Sequence, residues 1–119
     1  MIATQAHNPG GGLIVPPDPS NVVNRHLIIA VAASYNVPTI YSGRLFAESG
    51  GLIAYGDDRA EEFRQAAGYI DRVLKGAKPA DLPIQQPTKF ELVINLKTAK
   101  ALGLSPSSGL ISIADDLIE

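Results

Sequence analysis

Apolar residues fall in short blocks along the chain, separated by glycine, proline, asparagine and aspartate. Leu13-Ile14-Val15 stands between Gly10-Gly11-Gly12 and Pro16-Pro17-Asp18-Pro19, the pattern of a short strand buried on both faces. Proline cannot donate to a ladder, so the strand ends there. Ser20 is suited to cap a helix over 21–35, whose second half is apolar on nearly all sides. Asn36 suits the left-handed residue after it. A second strand is predicted over 37–41, a short helix over 45–49, and a third strand over 52–55 after Gly50-Gly51.

The clearest helix follows. Ala60, Phe63, Ala66, Ala67, Ile70, Val73 and Leu74 recur at helical spacing, with Asp58 and Glu61 placed as a capping box and Gly76 as the stop. Residues 77–88 hold Pro79, Pro83 and Pro87 and read as an extended connector. A fourth strand is predicted over Phe90–Asn95, then a helix over 96–102 capped by Asn95 and closed by Gly103. Leu110, Ile111, Ile113, Ala114, Leu117 and Ile118 suggest a terminal amphipathic helix, and 1–7 the tail of another. Strand and helix thus alternate, which predicts an α/β class. The expected architecture is three-layer α-β-α: a doubly wound, mostly parallel, flavodoxin-like sheet.

Composition narrows the chemistry. The 119 residues are one domain's worth, 45% hydrophobic and 18% charged, with a net charge of -2. No basic surplus exists to attract nucleic acid or an anionic membrane. Without cysteine there is no disulfide and no thiolate chemistry. His7 and His26 lack ligand spacing, so no metal and no cofactor are predicted. The apolar run at 27–33 is far shorter than the ~20 residues that span a bilayer. Residues 1–9 show no signal-peptide pattern.

Ligands of open α/β sheets gather at the carboxyl ends of the strands. Those ends carry Asp18 after the first strand, Tyr41, Ser42 and Arg44 after the second, and Tyr55 and Gly56 after the third. Asp18 matches an ammonium; Ser42 and Arg44 match a carboxylate; the two tyrosines match an apolar or aromatic group. The bland alternatives are a turn aspartate, core tyrosines and a solvated arginine. No nucleophile elbow or phosphate loop is present, and Asp18 has no partner acid, so no enzyme is predicted.

Three stretches carry a family resemblance. They are Gly11-Gly12-Leu13-Ile14-Val15-Pro16-Pro17-Asp18-Pro19; Val37-Pro38-Thr39-Ile40-Tyr41 with the segment 46–56; and the block 74–83 continued by 86–104. The chain resembles the substrate-binding proteins of ABC transporters, of the tryptophan/tyrosine type, over nearly its whole length. The resemblance implies a type I periplasmic-binding-protein fold of two lobes, with ligand trapped between them. This chain corresponds to the C-terminal lobe, residues 1–119 forming one α/β domain and 77–119 its connector, hinge-side strand and terminal helices. Implied with it are a small-molecule solute, amino-acid-like in character, an ABC permease partner and a periplasmic location. As written, without a signal peptide, the chain is expected in the cytoplasm. Asp18, Tyr41, Ser42 and Tyr55 lie where the family places ligand contacts. In a lone lobe the helix at 96–103 is expected to expose Leu96, Ala99 and Leu102 and to drive homodimer formation. The alternative reading is a self-associating flavodoxin-like interaction domain without a ligand.

Overall fold

The computed structural model describes residues 10–119. The helix tail predicted for 1–7, and His7 with it, lie outside the described residues. In chain order the elements are β1 (Leu13–Val15), α1 (Pro19–Val23), α2 (Arg25–Ser34), β2 (Thr39–Tyr41), α3 (Arg44–Glu48) and β3 (Ile53–Asp57). Then come α4 (Arg59–Leu74), a 3-10 turn at Pro79–Asp81, β4 (Phe90–Asn95), α5 (Leu96–Ala101), α6 (Ser108–Ser112) and β5 (Asp116–Ile118). The chain divides into two compact units. One runs to Gly56 and resumes over Glu91–Glu119; the other is Asp57–Phe90.

The larger unit holds a five-stranded sheet in the order β1-β2-β3-β4-β5. β1, β2 and β3 run parallel, as do β4 and β5. The backbone N–H of Asn95, at the end of β4, donates to Leu52 O just before β3 at 2.9 Å. Asp58, beyond the end of β3, pairs by contrast with Lys89 ahead of β4 at 3.0 Å. β4 therefore runs antiparallel to β3, and the sheet is mixed but mostly parallel. One consequence governs the rest. The starts of β4 and β5 lie at the same edge of the sheet as the carboxyl ends of β1, β2 and β3.

Residues in register share a face. Val15, Tyr41 and Ala54 are partners across β1, β2 and β3, and Val93 joins Ala54 in one buried cluster with Ala47 and Ile118. Val15, Tyr41 and Phe46 form the second cluster, covered by Leu13, Val22, Ile28 and Ile29. Helices α1, α2 and α3 thus close this face. Val93 and Ile94 are fully buried, each worth about 1.5–3 kcal/mol in removed apolar surface. On the opposite face the neighbours Ile14 and Ile40 stay exposed, at 76% and 43%.

Several predicted boundaries shift for local reasons. The single helix expected over 21–35 is two. Asn24 leaves helical geometry (φ -92°, ψ 13°) while its side chain donates to Ser20 O at 2.8 Å, a local bond that competes with the helix. The cap is Asp18, not Ser20: its Oδ1 accepts from the Ser20 amide at 2.7 Å. β3 continues through Gly56 and Asp57, where a turn was expected, because antiparallel pairing with β4 holds it extended. The terminal helix is replaced by α6 and β5. Asp115 exchanges two bonds with Leu92, accepting from its amide through Oδ2 and donating its own amide to Leu92 O, which launches a strand beside β4. The helix at 96–103 also differs from expectation. Ala99 is 1% exposed, and Leu96 and Leu102 are half-buried, so α5 belongs to the core. Asn95 explains its placement. Its Oδ1 caps Thr98 N at 2.9 Å and its Nδ2 donates to Ala47 O at 3.0 Å.

The smaller unit is a helix strapped by its connector. Asp58 caps α4, accepting from Ala60 N and Glu61 N. The positive φ of Gly76, 102°, stops it. The Tyr69 hydroxyl donates to Pro83 O, and the Arg72 guanidinium lies 5.9 Å from the Tyr69 ring centre. The apolar stripe forms as predicted but stays open, with Phe63 74% and Leu74 82% exposed.

Candidate functional site

The edge of the larger unit where β1, β2 and β3 end collects most of the residues singled out above. Asp18 sits just past β1 and is exposed. Besides the Ser20 amide it accepts from the Ser20 hydroxyl, and these two bonds hold its carboxyl below the ordinary carboxylate value. At neutral pH it is a fixed negative charge.

The two tyrosines part company. Tyr41 is in register with Ala54, so it points into the helix-covered face, 2% exposed, stacked on Phe46 at 5.1 Å and 16°. Burial pushes its phenol up in pKa. The next residue along from Ala54, Tyr55, points to the other face and is 57% exposed. The pair cannot close on one ligand ring together, because strand alternation sends them to opposite sides of the sheet.

Ser42 and Gly56 are brought together more closely than their sequence separation suggests. A Cβ on Gly56 would overlap the Ser42 carbonyl, so only glycine lets the β2–α3 loop cross the end of β3. Both residues are half-buried, with backbone groups at the sheet's edge.

Arg44, at the first position of α3, is committed to carboxylates of its own chain. Its Nε donates to Glu91 Oε2 at 3.1 Å and Oε1 at 3.3 Å, and its Nη1 to Asp116 Oδ2 at 2.7 Å. Glu48 lies one helical turn on, at 3.6 Å. The Asp116 bond, then Glu91, raises the guanidinium further, and the same bond lowers Asp116 below the ordinary value. Glu91 and Asp116 were not among the candidates. They stand 47 and 72 positions from Arg44, and no spacing in a single sequence announces such a partnership. Only the reversal of β4 and β5 brings them to this edge. Beyond Gly56, a further ion pair joins Lys89 to Asp58 at 2.9 Å within the smaller unit.

The arrangement offers polar backbone, a hydroxyl and an exposed carboxylate. Among the described residues no cluster of His, Asp and Glu side chains is arranged to hold a metal ion. No helix among them is long and apolar enough to cross a membrane.

The family model for ABC transporter substrate binding proteins matches residues 1–118. The chain belongs to this family. Solved structures agree on the fold. A conserved domain protein from Vibrio cholerae superposes with a TM-score of 0.87 at 21% identity. An ABC domain in complex with L-Trp, from Streptococcus pneumonia, does so at 0.86 and 26%. A ligand-free, open substrate binding protein with adhesive properties from Clostridium difficile gives 0.67 at 18%. Each match covers 98% of this chain and 39% of the other, so the chain spans well under half the length of these solved proteins. No curated protein matches it significantly.

Proposed function

We propose that this chain supplies one wall of a solute-binding site in an ABC uptake system, as the C-terminal lobe of a two-lobe binding protein. The ligand is a small polar or amino-acid-like solute taken at the carboxyl ends of β1, β2 and β3. The single observation that carries this is the family match over residues 1–118, joined to a sheet edge where Asp18, Ser42 and Gly56 present polar groups. The pneumococcal relative in complex with L-Trp favours an amino acid as the ligand class. A fixed carboxylate at Asp18 pairs with its ammonium. Ser42 and the loop amides suit its carboxylate, and Tyr55, exposed beside them in sequence, suits an apolar side chain. Tyr41 contributes by holding the β2–α3 loop from within the core. The partner in this reading is an ABC permease, and the setting is the periplasm.

The test is a thermal-shift screen of the protein against the amino acids, aromatic ones included. A saturable rise in Tm with one class, lost in Asp18→Ala and Ser42→Ala, supports the reading. No shift from any amino acid at millimolar concentration overturns the ligand class.

A second reading, self-association, is favoured by the open stripe of α4. It is the stripe carrying Phe63 and Leu74, and not α5, that leaves large apolar side chains exposed.

A further inference from the structure

Resting on the solute-binding reading above, we propose that Arg44 is a positioning residue. It holds the β2–α3 loop in place for the ligand and does not itself bind the ligand's carboxylate. The sequence presents it as an anion ligand, but its neighbours argue otherwise. Nε faces both oxygens of Glu91 and Nη1 faces Asp116, with Glu48 at the next turn of α3. An arginine among three carboxylates has its charge more than matched, so an incoming ligand carboxylate would meet net negative charge there.

The placement of Glu91 and Asp116 gives the cluster its role. Glu91 is the first residue of the larger unit after the chain returns from Asp57–Phe90, and Gly56 is the last before it leaves. By the pairing of Asn95 with Leu52, Glu91 stands opposite Gly56 across the β3–β4 ladder. Gly56 in turn carries the Ser42 carbonyl directly against its Cα. Asp116 opens β5 on the far side of β4. One guanidinium thus ties the first turn of α3 to β4 and β5, beside the point where the chain returns to the larger unit. The Ser42-Gly43 backbone is caught between Arg44 and Gly56. A planar fork is suited to such bridging, and lysine would not replace it.

The experiment compares Arg44→Met, Glu91→Gln and Asp116→Asn in the full protein, with two readouts. The first is amide hydrogen exchange over residues 42–47, where Phe46 N donates to Gly43 O. The proposal expects all three variants to speed exchange there about three- to tenfold, with α2 unchanged. The second is calorimetric affinity for L-tryptophan and for its carboxamide. The expected outcome is a parallel weakening for both ligands, about three- to tenfold, in all three variants. Unchanged exchange at 42–47 overturns the proposal. So does a result in which Arg44→Met loses only the carboxylate ligand while Glu91→Gln and Asp116→Asn keep or gain affinity, since that pattern marks a direct contact. If the parent protein binds neither ligand, the amino-acid reading fails by itself, and the exchange data alone decide whether Arg44 positions the loop.

Discussion

Gly56 and Asp116 show how much of this site is decided by single atoms. At Gly56 the close approach of the Ser42 carbonyl leaves no room for a methyl group. Gly56→Ala is expected to cost about 1–3 kcal/mol by forcing the loop and strand apart, read as a lower urea midpoint with unchanged m-value. A midpoint equal to the parent's would show that the loop gives way freely. Asp116 makes the pH prediction. Its folded-state pKa lies below the ordinary value of 3.8, chiefly through the Arg44 bond. A group depressed on folding contributes stability that is complete above its unfolded value and is lost as pH falls through the folded one. Arg44 stays charged throughout, so the carboxylates set the window. The gap in stability between the parent and Asp116→Asn should therefore be constant from pH 5 to 7, in line with the usual carboxylate range, and close as the pH drops below 3.8. Denaturation midpoints across that range check it.

Among the elements, α5 and β5 are placed by polar side chains as much as by apolar ones. Asn95 is 5% exposed and does two jobs: it caps α5 and ties the end of β4 to Ala47 of α3. Asn95→Ala removes both and leaves the Ala47 carbonyl to the Gly50 amide. The expected loss is about 2 kcal/mol, measured by urea denaturation. Asn95→Asp keeps the capping oxygen but sets a buried carboxylate oxygen against the Ala47 carbonyl, so it should cost at least as much as Asn95→Ala. A loss under a few tenths would mean that the tie to Ala47 is immaterial. Helix α4 behaves differently. Its cap and its stop are local, supplied by Asp58 and Gly76, so its limits follow from its own residues. Its apolar face, by contrast, finds no cover among the described residues.

For the whole molecule, that uncovered stripe sets the prediction. The isolated 119-residue chain should self-associate at high concentration, and Phe63→Glu with Leu74→Glu should return it to a monomer in light scattering. A monomeric parent chain would leave the stripe to a partner other than itself. What was legible from residues alone is everything that local rules govern. β4 (Phe90–Asn95) and the Asn95 and Asp58 caps stood where apolar period and capping chemistry placed them, as did the stripe of α4 and the left-handed Asn36. The break at Asn24 escaped because its side chain competes with the helix only once Ser20 O is at hand. β5 escaped because a three-residue strand exists only through its neighbour, and 110–118 reads equally well as a helical stripe. The same holds for the site. The sequence by itself determined which loops lie at the carboxyl ends of the first three strands, since an α/β alternation admits little else. Tertiary structure alone decided how those residues are paired and which way they face. Antiparallel pairing of β4 carried Glu91 and Asp116 to Arg44 and took its charge, and strand alternation buried Tyr41 while exposing Tyr55. Periodicity is a property of the chain, whereas charge pairing and facing depend on which strands meet, and in which direction.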